Sequence, residues 1–541
     1  AVAQGYGLGT PGPPGNREMH AHGESLGGGS VDVEGIVGAG ESLSGVRVAL
    51  DDSVTGETSG DLKLLQEAYG GDGRESGGSA SSVLTHEGSS SFITLNAAAN
   101  GGRLTYTGDP NSPSAPTDAS ATAVADARNH VGGVSVGASS LGGNDASSGA
   151  SASSDAYGES HGDGEAAQVL VGASSQGGRG LFLARITPDG SRGGDARSTA
   201  RGAAFGNAKV SVDASALGGS GGYTPYPLGS GGAGGDARAD AFAVGGASSV
   251  SAAARATAGG TGSGAFGSPY RSAGPEGAAI AYSSASGLGE VVATSEAFSE
   301  RSVLATSEST RAAGAVTGLS ASRSAQVVPS MQFISITTQS AFGSVPQLPQ
   351  YLAQIASPFF GSTPGENGTS AFAGLDATTA ASWLVSSPHV ADAIADRGEL
   401  LGIGTIAMAA SSALSSSKFE FDLAPLAKGE SLSLGWLDVP TSPLFDLLHI
   451  ALFANGTQVF DETVEAENAA SLDDVVIRIA LADLGIPVVL QVDVDAKFTT
   501  GNTAIYTDFA LFASHVPEPE LSALILVGVA VLALRRSMRS P

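Results

Sequence analysis

Ala119-Ser120-Ala121-Thr122-Ala123-Val124 and, further on, Ser249-Val250-Ser251-Ala252 alternate small residues with a period of two. That period belongs to a strand, because successive side chains of extended backbone point to opposite faces. Paired glycines flank such stretches at 132–133, 142–143, 177–178, 218–222, 231–235 and 259–260, and they read as the turns between strands. The same pieces recur. Gly-Ala-Ser-Ser stands at 137–140, 172–175 and 246–249, and Gly-Gly-Asp-Ala-Arg at 193–197 and 234–238. The first set is spaced by 35 and 74 residues and the second by 41, an elastic unit that suits stacked strands with variable loops.

An isolated unit of this kind cannot fold. Burying an alanine methyl gains about 0.8 kcal/mol, while fixing one residue's backbone costs roughly 1–2 kcal/mol. Stacking is therefore obligatory, and residues 31–325 are expected to form a repetitive β-solenoid, resembling a flattened β-helix, with Ala, Ser and Gly facing inward. A disordered Gly/Ser/Ala stalk shares the same composition. Larger residues such as Val83-Leu84, Phe92-Ile93-Thr94-Leu95, Leu170-Val171 and Leu181-Phe182-Leu183 favour strands.

Composition narrows the function classes. The chain has 541 residues, 78 of them Gly and none Cys, which removes disulfide frameworks, thiolate metal sites and cysteine nucleophiles. Against 26 Lys+Arg stand 53 Asp+Glu, a formal charge of −27, so nucleic acid and anionic membrane surfaces are unsuitable partners. Organisation changes along the chain. Residues 1–30 read as a flexible N-terminal segment, and Ala1-Val2-Ala3 has the form of a signal-peptidase site. Residues 326–400 read as a connector marked by Pro329, Pro346, Pro349, Pro358 and Pro364, with a short helix over 375–397. Over 401–515 the strand signals strengthen, as in Phe419-Glu420-Phe421-Asp422-Leu423 and Val488 to Asp495. With Asn455-Gly456 and Gly501-Asn502 as turns, they predict an antiparallel β-sandwich.

The last 26 residues are the most specific feature. Val516-Pro517-Glu518-Pro519-Glu520 is held extended by its prolines. Leu521 to Leu534 is an apolar run of 14 residues, about 21 Å as a helix against a bilayer core of roughly 30 Å. Arg535, Arg536 and Arg539 close it as a basic cluster that stays on the cytoplasmic side. This order of motif, short hydrophobic helix and basic stop resembles the PEP-CTERM sorting signal. Glycine-turned repeats such as Gln66-Glu67-Ala68-Tyr69-Gly70-Gly71 and Gly77-Gly78-Ser79-Ala80-Ser81-Ser82 are similar to those of a subset of exosortase-dependent proteins. The resemblance implies processing near Val516, Pro517, Glu518 and Pro519 by an exosortase in the inner membrane of an exopolysaccharide-producing Gram-negative bacterium. It implies a transient partnership of the C-terminus with that enzyme and membrane, and residence at the surface or in the matrix.

Candidate chemistry is sparse. His20-x-His22 has metal-like spacing in a segment rich in Gly and Pro, and Gly23-Glu24-Ser25-Leu26-Gly27 fits G-x-S-x-G without the strand and helix that a nucleophile elbow needs. Ser415 and Lys418 form S-x-x-K without companion motifs. Gly231 to Ala239 approaches a calcium-binding nonapeptide, but Arg238 replaces the apolar position and no tandem copies follow. Asp493 and Asp495 alternate with valines as the polar face of a strand. No catalytic residue, metal site or cofactor is expected. The leading expectation is a structural or adhesive surface protein. The alternatives are carbohydrate binding by the 401–515 segment, with Trp436 and Tyr506 as glycan-contacting aromatics, and a polysaccharide-modifying enzyme on the repeats.

Overall fold

The computed structural model describes residues 2–8, most of 19–325, helical residues 389, 390 and 392, and strand segments from 334 to 515; the remaining residues, 516–541 among them, lie outside the described residues. Nearly everything described is strand. Two large sheets carry it, one of 15 strands and one of 13, with two small two-stranded parallel sheets, Ala21–Ser25 with Val54–Thr58 and Ser42–Ser44 with Gly73–Ser76. Through the repeats, successive strands alternate between the large sheets. Phe92–Asn100 lies in the longer sheet, Ala121–Asn129 in the shorter, Gly133–Leu141 in the longer and Ala152–Ser160 in the shorter. Each strand therefore pairs in parallel with the strand two further along the chain.

The repeated words set the register. Gly137, Ala138, Ser139 and Ser140 pair with Gly172, Ala173, Ser174 and Ser175, residue for residue, and Ala196-Arg197 pairs with Ala237-Arg238. The offset from one rung to the next is 41 residues for Phe92↔Gly133, 35 for Val134↔Val169 and 44 for Ala152↔Ala196. Loop length absorbs that variation while the strands stay aligned. The third Gly-Ala-Ser-Ser precedes Val250–Thr257 and falls outside this ladder.

Between the sheets, size is matched position by position. The longer sheet buries Val134, Val136 and Ala138, and on the next rungs Val169, Val171, Ala173 and Val210, Val212, Ala214. The shorter sheet answers with Ala or Gly. A Cβ added at Gly158 would strike the γ-methyls of Val134, Val136 and Val171, and one at Gly202 those of Val169, Val210 and Val212. Valine thus occupies the volume that glycine vacates. Several buried polar groups are paired: Ser198 Oγ shares hydrogen bonds with Ser154 in its own sheet and with Ser175 across the gap, and Gln66 takes the Ser53 amide while donating to Leu50 and Val83 carbonyls.

Most of the paired glycines expected as turns do something else. Gly132 does stand at a tight bend. Gly142-Gly143, Gly177-Gly178, Gly218-Gly219 and Gly234-Gly235 instead form a seam where the two layers meet backbone to backbone. Hydrogen bonds zigzag along it: Gly178 N donates to Ala150 O, Gly194 N to Gly178 O, Gly219 N to Gly194 O and Gly235 N to Gly219 O, each 2.8 Å. Alternate glycines bond within their own layer, as Gly177 N does to Leu217 O at 2.9 Å. A side chain has no place there, because an added Cβ at any of these eight glycines would lie 1.8–2.2 Å from a backbone carbonyl oxygen.

The expected fold class needs correction. The molecule is a parallel β fold rather than a β-solenoid followed by an antiparallel β-sandwich; the C-terminal hydrophobic helix expected after them falls outside the described residues. Strands from 401–515 extend the same two sheets. Leu414–Leu423 pairs in parallel with Ile334–Ala341 of the shorter sheet. Thr317–Ala325 of the longer sheet is followed in antiparallel order by Glu366–Ala373, Gly398–Ala410 and Thr503–His515. The physical reason lies in the edges: each repeat sheet ends on a row of unpaired N–H and C=O groups, and the next strands in the chain satisfy them. The core changes character at that end, from Val and Ala to Leu432, Leu434, Trp436, Phe509 and Phe512.

Residues expected to be a flexible lead-in contribute Val2–Leu8, paired with Asp32–Gly38. Of the helix expected over 375–397, residues 389, 390 and 392 are helical and the rest lie outside the described residues. The C-terminal helix expected over 521–534 lies there too. Among the described residues no helix is long and apolar enough to cross a membrane.

Candidate functional site

The two large sheets show different outer faces. In the repeats the longer sheet presents mainly small residues, Ser135, Gly137 and Ser139 on one rung and Ser211, Asp213 and Ser215 two rungs on, with a single arginine–aromatic contact among the described residues, Arg255 5.2 Å from the Phe298 ring centroid. The shorter sheet presents arginines and aromatics. Strand alternation places Arg128, Tyr157, Arg201, Phe242 and Tyr282 outward on consecutive rungs, where Arg128 lies 5.4 Å from the Tyr157 ring centroid and Arg201 5.9 Å from that of Phe242. The Phe242 and Tyr282 rings are 5.4 Å apart. Burial and a hydrogen bond to the Glu159 carboxylate push the Tyr157 hydroxyl up to about 12, so it remains a donor at any physiological pH.

Beside this band runs an open groove of about 450 Å³, crossing five strands where they leave the glycine seam. Ser120, Thr122, Ser151 and Ser153 line one part, Arg197 and Arg238 the middle, and Ile280 the far edge. Its acidic residues are engaged. Asp195 Oδ1 accepts the Asp236 amide at 2.8 Å and Asp236 Oδ1 accepts the Ala278 amide at 2.7 Å, each aspartate holding the rung above. Arg192 bridges both carboxylates, at 2.6 and 3.0 Å. Those bonds make Asp236 a structural cap, and the segment that approaches a calcium nonapeptide uses its carboxylate on backbone and arginine. Among the described residues no group of three or more His, Asp or Glu could hold a metal.

Arg197 and Arg238 are stacked directly on adjacent rungs. Arg238 donates from Nε to Asp240 Oδ2 at 2.8 Å; that hydrogen bond lifts the guanidinium above its ordinary value. Asp240 is buried, and its Oδ1 has no hydrogen-bond partner. Arg197 is exposed and makes no ion pair among the described residues. At the tight-turn end a second surface feature stands apart from the groove: His130, His161 and Phe205 stack rung on rung, with His161 and Phe205 rings 4.6 Å apart and Phe205 68% exposed.

The residues singled out from sequence fall elsewhere. Trp436 is fully buried, stacks on Phe509 at 5.8 Å between centroids, and so has no face to offer a glycan. Tyr506 lies on Thr503–His515, its side chain outside the described set. Val516, Pro517, Glu518, Pro519, Arg535, Arg536 and Arg539 lie outside the described residues. His22 Nδ1 meets Thr55 Oγ1 at 3.0 Å, and Ser25 Oγ accepts the Gly29 amide in the turn after its strand. Ser415 and Lys418 share one strand. Asp493 and Asp495 are half-buried and alternate with buried Val492 and Val494. The groove escaped the sequence reading although its signal was visible: the second copy of Gly-Gly-Asp-Ala-Arg fixes both the rung and the arginine stack. Comparison with protein-family models and with curated proteins finds no match for the chain.

Proposed function

We propose that this is an exported, non-enzymatic protein of a Gram-negative cell surface or exopolysaccharide matrix, sorted through its C-terminus by an exosortase and serving a structural or adhesive role. The observation that carries the reading is the order of Val516–Pro519, the 14-residue apolar run and the arginines at 535, 536 and 539. A run that short suits a removable address better than a lasting anchor. The fold supports a spacer role. Fifteen strands in one sheet, separated by 14 steps of about 4.8 Å, extend roughly 67 Å along the stack. The seam and the matched core distribute cohesion evenly, as a projecting element requires.

Intact-mass analysis of protein recovered from the native cell surface tests the sorting step. The expected mass lacks everything after the Pro517–Pro519 region. Recovery of surface protein that retains Arg535 and Arg536 would make the tail an anchor and remove the exosortase from the account.

A further inference from the structure

We infer that the groove on the outer face of the shorter sheet binds a carboxylated polysaccharide, with Arg197 and Arg238 gripping carboxylates of the polymer. This rests on the surface or matrix reading and names the ligand class that such a protein would hold.

The register sets Arg197 and Arg238 side by side on neighbouring strands. Like charges so paired cost stability, and nothing in the fold demands them: neighbouring outward positions on the same row are Thr122, Ser153 and Ile280. Beside them sits a buried Asp240 oxygen without a donor. Local conflicts of this kind concentrate where a surface is built to bind. Among the described residues the neighbouring acids engage Arg238 but not Arg197. Asp195 and Asp236 are consumed by Arg192 and by backbone amides, and Asp240 by Arg238. Among the described residues no acid pairs with Arg197, and its planar fork matches a carboxylate in bidentate geometry.

The remaining lining specifies a hydroxylated polymer. The groove follows the stack across five strands, about 19 Å over four steps. Ser120, Thr122, Ser151 and Ser153 supply hydroxyls that donate and accept equally well. Ile280 and the adjoining Phe242–Tyr282 pair offer apolar surface for the faces of sugar rings. The formal charge of −27 opposes any polyanion at long range, so recognition here depends on short-range contacts between the arginines and single carboxylates, in a frame where Arg192 and Arg238 already offset Asp195, Asp236 and Asp240.

Titration calorimetry of the full chain with polygalacturonate oligomers tests the site, with neutral dextran and dextran sulfate as comparison polymers. Binding to polygalacturonate that weakens with added salt is expected. Arg197→Gln should weaken it about tenfold and Arg197→Gln/Arg238→Gln about a hundredfold, while Lys63→Gln on the opposite sheet leaves it unchanged. Arg197 is exposed and makes no ion pair among the described residues, so its single variant reports on the site even where removal of Arg238 from Asp240 unfolds the protein. Absence of polygalacturonate binding, equal binding of neutral dextran or dextran sulfate, or an affinity indifferent to Arg197→Gln would each overturn the inference. Failure here with protein still recovered at the surface removes the groove alone. Loss of surface sorting with binding intact removes the wider reading and leaves the groove.

Discussion

Gly178 and Gly172 lie six positions apart on one rung and answer to different physics. A Cβ added at Gly178 would fall on the Gly143 carbonyl of the neighbouring rung and crowd the Ala150 amide of the facing layer. At Gly172, on the outer face, it would meet nothing within 4 Å. Gly178→Ala is therefore expected to destabilise by about 1–3 kcal/mol, since rigid backbone rather than a flexible side chain must move. Gly172→Ala should stay within about 0.5 kcal/mol of the parent or stabilise slightly, because glycine is a poor strand residue. Chemical denaturation of the two variants decides it; equal effects would mean that the seam is not close-packed. Period-two alternation and paired glycines were both legible in the sequence. The seam was not, because Gly-Gly marks a turn and a backbone contact with the same letters, and only the facing strand distinguishes them.

At the scale of strands, His449 ties three together. It sits on Leu447–Ala454, with Nε2 2.9 Å from Asp461 on Thr457–Glu465 and Nδ1 3.5 Å from Asp495 on Val488–Lys497. Burial, the largest single influence, pulls the imidazole down, but the hydrogen bonds and charges of the two aspartates together carry it above its ordinary 6.5. A raised value in the fold means that protonation favours the folded state. The stabilisation is complete below 6.5 and is lost as pH rises through the higher folded value. The unfolding free-energy gap between the parent and His449→Gln should accordingly be larger near about pH 5.5 than near about pH 8.5; a gap that widens with pH would contradict the assignment. The strands themselves were readable here, and so was the hairpin turn: Asn455 and Gly456 adopt φ of 48° and 76°, as that dipeptide requires. Their partners were not. Alternation of Val488 to Asp495 fixes which side is buried but not which sheet receives the strand, and that choice is made by the unpaired edge of Leu414–Leu423.

Across the whole molecule, the difference between a sandwich beside a repeat and one pair of sheets throughout is a difference in where edges end. Small inward residues make each rung too weak to stand alone, so cohesion grows only by adding rungs. The same logic places the arginine groove: a binding surface on stacked strands is written by repeating one outward residue at constant register. The central claim is that constant register. Ala98, Ser139, Ser174, Ser215, Arg255 and Glu296 form one row on the longer sheet. From Ala98 to Glu296 is five steps of about 4.8 Å, or roughly 24 Å, although 198 residues of chain intervene (296 minus 98). The chain has no native cysteine, so spin labels at Ala98→Cys and Glu296→Cys report that span by pulsed electron–electron resonance without background. A narrow distribution near 24 Å, broadened only by the label arms, is the predicted result. A broad one centred near about 70–85 Å, the span of a flexible chain of that length, would contradict the fold and everything built on its register.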